Sequence, residues 1–113
     1  LDRAVLRAQR RSVAVYSIYS PASLTGRGGS QLVLTAQGGL EKLSNETGGR
    51  AFFQGSSAPV SFRPFFRDLG ILLNRQFALT YLSTHMNRGY HKVEVDSTNP
   101  VVKIEHPKGY YYR

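Results

Sequence analysis

Apolar residues recur with a helical period at the start of the chain and again in its middle. Near the start they stand at i, i+3, i+4 and i+7, which predicts a helix over residues 1–11 with these inward residues: Leu1, Ala4, Val5 and Ala8. A wider stripe predicts a second helix from Ser61 to about Asn74, where Ser61 can cap the first turn and Pro64 needs no amide donor. Core packing is the interpretation we favour for this stripe, and a partner-binding groove is the alternative: Phe62, Phe65, Phe66, Leu69, Leu72 and Leu73.

Two short apolar segments between these helices have the character of strands. Residues 13–19 are mostly β-branched or aromatic, and they are apolar on both faces apart from Ser17. Strands of this kind are usually covered by helices on both sides of a parallel sheet. Ala51–Phe53 is the second, shorter strand. Helical and strand segments that alternate in this way predict an α/β fold.

The segment between these two strands is rich in glycine. We predict a long loop over residues 20–39, followed by a short helix from Gly39 to Thr47 with Leu40 and Leu43 facing inward. Gly48 supplies a left-handed residue that ends this helix. The motif Gly26-Arg27-Gly28-Gly29-Ser30 resembles a phosphate-binding loop only loosely, because it lacks the Gly-Lys-Ser/Thr ending.

After the helix predicted from Ser61 to about Asn74, the apolar period changes from 3.6 to 2, which is typical of strands. Three strands are predicted, with a turn over residues 97–100 between the last two: 76–83, 91–96 and 101–106. We expect them to form an antiparallel meander with these side chains buried: Val93, Val95, Val102 and Ile104. No stretch of the chain is apolar and long enough to cross a bilayer.

The chain is strongly basic, with a formal net charge of +8 that comes mainly from arginine. Four arginines lie in the first predicted helix, and tyrosines are concentrated at the C-terminus. These residues form our candidate anion- or partner-binding surface: Arg3, Arg7, Arg10, Arg11, Tyr110 and Tyr111. The simpler interpretation of the arginines is a solvated helix face, and that of the tyrosines is a strand end packed on the meander. We favour the simpler interpretation in both cases.

Residue types that support catalysis are sparse in this sequence. The chain has no cysteine and only seven acidic residues, and no serine lies in a Gly-x-Ser-x-Gly motif. A metal site from His91, His106 and Glu105 is conceivable, but no His-x-His or His-x-x-x-His spacing supports it. We therefore predict a protein that is not an enzyme and that has no cofactor, metal-binding or catalytic residue within this chain.

Four segments together resemble a known bacterial family. Glu46-Thr47-Gly48-Gly49 at a helix end is followed by three spaced tail segments: Gln76-Phe77-Ala78-Leu79-Thr80-Tyr81, Gly89-Tyr90-His91-Lys92-Val93-Glu94-Val95, and Val102-Lys103-Ile104-Glu105-His106-Pro107-Lys108-Gly109-Tyr110-Tyr111. The chain resembles, over essentially its whole length, the von Willebrand factor A-related proteins of the acidobacterial type. The resemblance implies a partial von Willebrand factor A/Rossmann-like three-layer α/β fold: residues 1–75 form the C-terminal part of the domain, and 76–113 a β extension packed on it.

The resemblance also bears on metal binding. A-type domains bind Mg²⁺ or Mn²⁺ through an Asp-x-Ser-x-Ser motif, a threonine and a further aspartate, and hard cations need such oxygen ligands. None of these motifs occurs in the chain, and neither Asp68 nor Asp96 lies in a matching pattern. A metal in the parent domain would therefore use residues outside this chain.

The resemblance implies a non-catalytic protein-binding or adhesion module that is secreted or associated with the cell envelope. We expect a protein ligand. For the exposed edge of the 13–19 strand we expect a homodimer, a strand-swapped dimer, or coverage by a segment outside this chain. The alternative function is nucleic-acid binding by the arginine-rich helix and the C-terminal tyrosines, and we rank it second.

Overall fold

Three helices and four short strands make up the described part of the chain. The structure is a computed structural model that describes residues 1–20, 29–53 and 61–112. In chain order the elements are α1 (Asp2–Arg10), β1 (Ser17–Tyr19), α2 (Gly29–Thr47), β2 (Ala51–Phe53), α3 (Arg63–Asn74), β3 (Gly89–Lys92) and β4 (Gly109–Tyr112). The fold is therefore mixed α/β, as the sequence predicts.

Strands β1 and β2 form a parallel pair. Ser17 pairs with Ala51 and Ile18 with Phe52. Ser17 faces α2, because its hydroxyl shares a buried 2.9 Å hydrogen bond with that of Ser44. Phe52 faces the opposite side, where its ring lies 6.1 Å from that of Phe65 in α3. The predicted strand over 13–19 is thus confirmed only at its C-terminal end, and it has helices on both sides.

Helix α2 begins ten residues earlier than the predicted helix, so the prediction of a loop over 20–39 is wrong from residue 29 onward. Gly38 and Gly39 each cost the helix about 1 kcal/mol, which suggested a break there. The helix continues because one face packs against α1 and both strands of the parallel pair. Its inner residues are spaced as one stripe: Val33, Gln37, Leu40, Ser44 and Thr47. Most of the Gly26–Ser30 motif lies outside the described residues.

The last turn of α2 is the best buried part of the described chain, and it is polar. Ser44 and Thr47 are fully buried. The Thr47 hydroxyl accepts a hydrogen bond from the Val15 amide and donates to the Leu43 carbonyl. No buried side-chain nitrogen or oxygen in the described residues lacks a partner. This region is therefore held by directional hydrogen bonds rather than by apolar packing.

Helix α1 matches the predicted helix, but its buried face is different. Val5 and Gln9 are buried, whereas Leu1 and Ala4 are exposed. The Gln9 side chain donates a 2.9 Å hydrogen bond to the carbonyl of Glu46 at the end of α2. A polar residue takes the inner position because it bonds a carbonyl that the last turn of a helix leaves without an internal partner.

The C-terminal region has one strand pair in place of the predicted three-stranded meander. Within the described residues, 76–83 and 101–106 are not in strands. Strand β3 instead pairs antiparallel with β4, Tyr90 opposite Tyr111. Of the four side chains predicted to be buried, Val93 and Val95 are half-buried, but Val102 and Ile104 are exposed.

Contacts with the helical part explain why residues 101–106 do not join a sheet. Glu105 accepts a 2.7 Å hydrogen bond from Arg50 next to β2. The Lys108 amide donates to the Glu46 carbonyl, and the backbone of His106 and Pro107 lies against Gly48. The segment is thus anchored at the end of α2, and β4 emerges where it can pair with β3.

Helix α3 is less buried than its apolar stripe predicts. It begins two residues after Ser61, whose hydroxyl accepts a hydrogen bond from the Arg63 amide. No residue of α3 is buried, so our preferred interpretation of the stripe as core packing is wrong for its outer half. The described chain is elongated, 53 × 29 × 24 Å with a radius of gyration of 16.7 Å, against about 13 Å for a compact domain of similar length. No helix in the described ranges is long and apolar enough to cross a membrane.

Candidate interaction surfaces

Three arginines of α1 and the residue just after it form one exposed row, which we call the arginine ridge: Arg3, Arg7, Arg10 and Arg11. They lie on the side of α1 opposite the buried Val5, and the helical rise spreads them over about 12 Å. Within the part of the chain that the structure describes, none of them forms an ion pair with a carboxylate. The acid of this helix, Asp2, pairs with Lys42 of α2 at 2.8 Å instead. The ridge therefore presents uncompensated positive charge to solvent.

Of the two tyrosines assigned to the candidate surface, Tyr111 contacts the arginine ridge and Tyr110 does not. The guanidinium carbon of Arg10 lies 5.1 Å from the centre of the Tyr111 ring, within the range of a cation–π contact. The Tyr111 ring also packs on Tyr90 of β3, with 5.1 Å between ring centres. The two ends of the chain thus meet at this point, which the sequence alone does not reveal.

Tyr110 lies on the other face of β4, because neighbouring strand residues alternate. Its ring stacks on His91 at 5.2 Å and meets the edge of Tyr81 at 6.4 Å. Its hydroxyl shares a 2.7 Å hydrogen bond with Ser83. The structure therefore separates Tyr110 from the arginine ridge and places it in a cluster with the segment after α3.

A groove of about 310 Å³ lies between α1, α2 and the β3–β4 pair, and both ionisable groups and aromatic rings line it. The hydrogen bond from Lys42 lowers the pKa of Asp2, and the same contact raises the pKa of Lys42. Partial burial raises the pKa of Tyr90, and the Glu46 carboxylate raises it further. The ring of Tyr90 lies over Gly109, which shields its hydroxyl although much of the residue is exposed. Tyr90 is therefore neutral at physiological pH and adds no negative charge beside the ridge.

A second surface is apolar, and it includes part of the α3 stripe for which a partner-binding groove was the alternative interpretation. One margin of the α3 stripe contacts the sheet through Phe65, and the other margin is exposed, with Phe66 62% accessible. In the extended segment that follows α3, Phe77 is 96% and Leu82 93% accessible. We call these side chains the apolar surface: Phe62, Phe66, Leu73, Phe77, Leu79 and Leu82. These six large apolar side chains are all exposed within residues 62–82, and clustered exposed apolar side chains mark interaction sites in soluble proteins.

A signal for the apolar surface is present in the sequence. The α3 stripe carries six large apolar residues, whereas the strand it packs on, β2, is three residues long. A strand of that length cannot cover so wide a stripe, so part of it must face solvent or a partner.

The structure shows the neighbours of the histidines in the metal site that the sequence did not favour. The ring of His91 lies 6.1 Å from that of His85 and stacks on Tyr110. His106 bonds the neighbouring Pro107 carbonyl. In residues 1–20, 29–53 and 61–112, no three histidine, aspartate or glutamate side chains are close enough together to hold a metal ion.

Comparisons of the whole chain with known protein families, with curated proteins and with solved structures gave no match. The function is therefore inferred from the geometry of the arginine ridge and of the apolar surface.

Proposed function

We propose that this chain is a non-catalytic protein-binding module of the adhesion type, built as the C-terminal part of a von Willebrand factor A-like domain. The observation that carries the proposal is the apolar surface on α3 and the segment after it. The order of helices and strands and the Glu46-Thr47-Gly48-Gly49 helix end are compatible with such a domain. In this proposal any Mg²⁺ or Mn²⁺ belongs to residues outside the chain.

Burial of the apolar surface by a partner would stabilise the complex. Complete burial of a phenylalanine or leucine side chain contributes about 1.5–3 kcal/mol relative to exposure. Phe77 and Leu82 contribute almost none of this in the free chain, because each is more than nine-tenths exposed. A partner that covers them gains this free energy on binding, which is how a few apolar anchors dominate many protein interfaces.

Photocrosslinking tests this function directly. A photoreactive phenylalanine analogue in place of Phe77 is expected to crosslink to a partner protein of discrete mass in extracts of the source cells. The same analogue in place of Val101, which is 89% exposed but outside the apolar surface, is the matched control and is expected to give no such adduct. The identified partner is then purified for titration.

In that titration, the triple variant Phe66→Ser/Phe77→Ser/Leu82→Ser is expected to weaken binding at least about tenfold, because it removes three anchors. The variant Leu32→Ser/Leu34→Ser/Val101→Ser removes three other exposed apolar side chains and should bind as the parent does. Equal affinities for the parent and the first variant would contradict the proposal.

We also propose self-association through the open edge of β1. The Ser17 amide bonds the Arg50 carbonyl across the parallel pair, so the polar backbone groups of Ile18 point away from β2. Among the described residues no further strand covers that edge. Such an edge is a template for pairing with a second chain.

Sedimentation velocity over a concentration series tests the dimer. Ala14→Lys places a charge just before the open edge, and we expect it to raise the dimer dissociation constant about tenfold. Ala36→Lys adds the same charge to the exposed face of α2 and is expected to leave dimerisation unchanged. A parent chain that sediments as a monomer at all concentrations would exclude self-association.

Nucleic-acid binding is the second candidate function, and the exposed arginine ridge is the observation in its favour. Base stacking needs a free aromatic face. The rings of Tyr110 and Tyr111 each already contact two side chains. We therefore rank this function below protein binding.

A further inference from the structure

We propose that the arginine ridge binds an aspartate- and glutamate-rich segment of a partner protein. This inference rests on the proposed protein-binding function, and it concerns a different surface from the apolar one. It assigns that surface a partner of defined chemistry, namely carboxylate groups on a polypeptide.

Charge complementarity is the first argument for an acidic partner. The backbone positions of the four ridge arginines span about 12 Å along the axis of α1, and none of these arginines has a carboxylate partner among the described residues. The whole chain carries a net charge of +8. Arginine makes bidentate hydrogen bonds with carboxylates, so each ridge position can bind one acidic side chain.

Repulsion between neighbouring arginines gives the ridge a further gain when an acidic ligand binds. Arg3 and Arg7 stand at i and i+4 in α1, and like charges at this spacing destabilise a helix. Arg3 also lies in the first turn, where the helix dipole disfavours a positive charge. The dipole favours the arginines at the other end, namely Arg7 and Arg10 in the last turn and Arg11 just after it. An acidic ligand removes both penalties.

Contacts of α1 with the rest of the fold fix the position of the arginine ridge. Helix α1 contacts both α2 and β4. The guanidinium carbon of Arg10 lies 5.1 Å from the centre of the Tyr111 ring, and a guanidinium over an aromatic ring can still donate N–H groups to a carboxylate. Gln9 ties the helix to the Glu46 carbonyl on the opposite side. A carboxylate therefore meets at least one guanidinium that already contacts the fold, and a contact of this kind lowers the entropic cost of binding.

Carboxylates fit this surface better than nucleotides do. A single-stranded nucleic acid gains much of its affinity from bases that stack on aromatic rings. Tyr111 lies between Arg10 and Tyr90, and Tyr110 is on the other face of β4. The ridge thus offers charge and hydrogen-bond donors without a stacking platform. Its length of about 12 Å matches roughly four residues of extended peptide.

Fluorescence anisotropy with two labelled probes tests the proposal on the full chain. One probe is a polyglutamate peptide of about eight residues, and the other is an oligothymidylate of about eight nucleotides. We expect the peptide to bind more tightly than the oligothymidylate at about 50 mM salt and to weaken at about 150 mM. The ridge variant is Arg3→Gln/Arg7→Gln/Arg11→Gln, which leaves Arg10 on its tyrosine.

The ridge variant is expected to bind the peptide about tenfold more weakly, since it removes three exposed charge pairs. Arg63→Gln/Arg67→Gln/Arg75→Gln is the matched control, because it removes the same charge from α3 and its C-terminal end. It should change the affinity less than about twofold. Circular dichroism melting of both variants checks that the fold is unchanged.

Three outcomes would overturn the inference: no measurable peptide binding, equal losses in the ridge and control variants, or tighter ridge-dependent binding of the oligothymidylate. The last would bring nucleic-acid binding to first place. The variant Phe66→Ser/Phe77→Ser/Leu82→Ser should bind the peptide as the parent does. Failure of the ridge experiment, with partner binding to the apolar surface intact, would thus reject this inference and leave the proposed function standing.

Discussion

A Gly49→Ala substitution is expected to lower the free energy of unfolding by more than about 3 kcal/mol, or to prevent folding. A methyl group at Gly49 would overlap the carbonyl oxygen of Val15, which is backbone and cannot turn aside as a side chain can. The Gly49 amide also bonds the Ser44 carbonyl at 2.9 Å. Relief of the overlap would therefore break the junction between α2 and the chain leading into β1.

Urea unfolding followed by circular dichroism measures this effect. Gly38→Ala is the matched control, because Gly38 lies in α2 and has open space around it. Alanine is the better helix former by about 1 kcal/mol, so the control should raise the free energy of unfolding. If both substitutions shifted the urea midpoint in the same direction, the close approach of Gly49 to Val15 would be wrong.

A Thr47→Val substitution is expected to have the second largest effect, a loss of about 1–3 kcal/mol of unfolding free energy. Thr47 is 1% exposed, and its hydroxyl accepts from the Val15 amide at 3.1 Å. Valine has nearly the same shape but no hydroxyl, so the amide loses its partner while the packing stays similar. The cost is therefore the unsatisfied amide rather than a cavity.

The same helix supplies the control for this substitution. Thr35 also donates from its hydroxyl to the carbonyl four residues earlier, that of Gln31, but it is exposed. Thr35→Val therefore removes a similar bond where water can replace it, and we expect a change within about 0.5 kcal/mol. Thermal melts of both variants give the comparison. An equal loss in both would mean that the Thr47 hydroxyl does not bridge α2 and Val15.

Gly49 and Thr47 matter for function because the end of α2 is hydrogen-bonded both to α1 and to the segment just before β4. The Glu46 carbonyl accepts hydrogen bonds from the Gln9 side chain of α1 and from the Lys108 amide just before β4. Arg10 and Tyr111 meet because their elements are fixed to this one carbonyl. Damage at the end of α2 should therefore weaken binding at the arginine ridge as well as stability.

Features that depend on neighbouring residues could be predicted from the sequence. The i, i+3, i+4 spacing located α1, and Pro64 with the apolar stripe located α3 to within two residues at its start. Gly48 has a φ of 81°, as the prediction of a left-handed helix stop requires. In each case the signal lies within a few residues of the feature, where propensity and periodicity act.

Only the tertiary structure decided three features: the start of α2, the partner of β3, and the contact between Arg10 and Tyr111. Alternating residues over 101–106 suit a strand, but the Arg50–Glu105 contact and the backbone against Gly48 hold that segment elsewhere. The α3 stripe looks like a core pattern, but β2 is too short to cover it. Residues far apart in the chain decide these features, because backbone pairing and burial depend on which surfaces the remaining elements leave free.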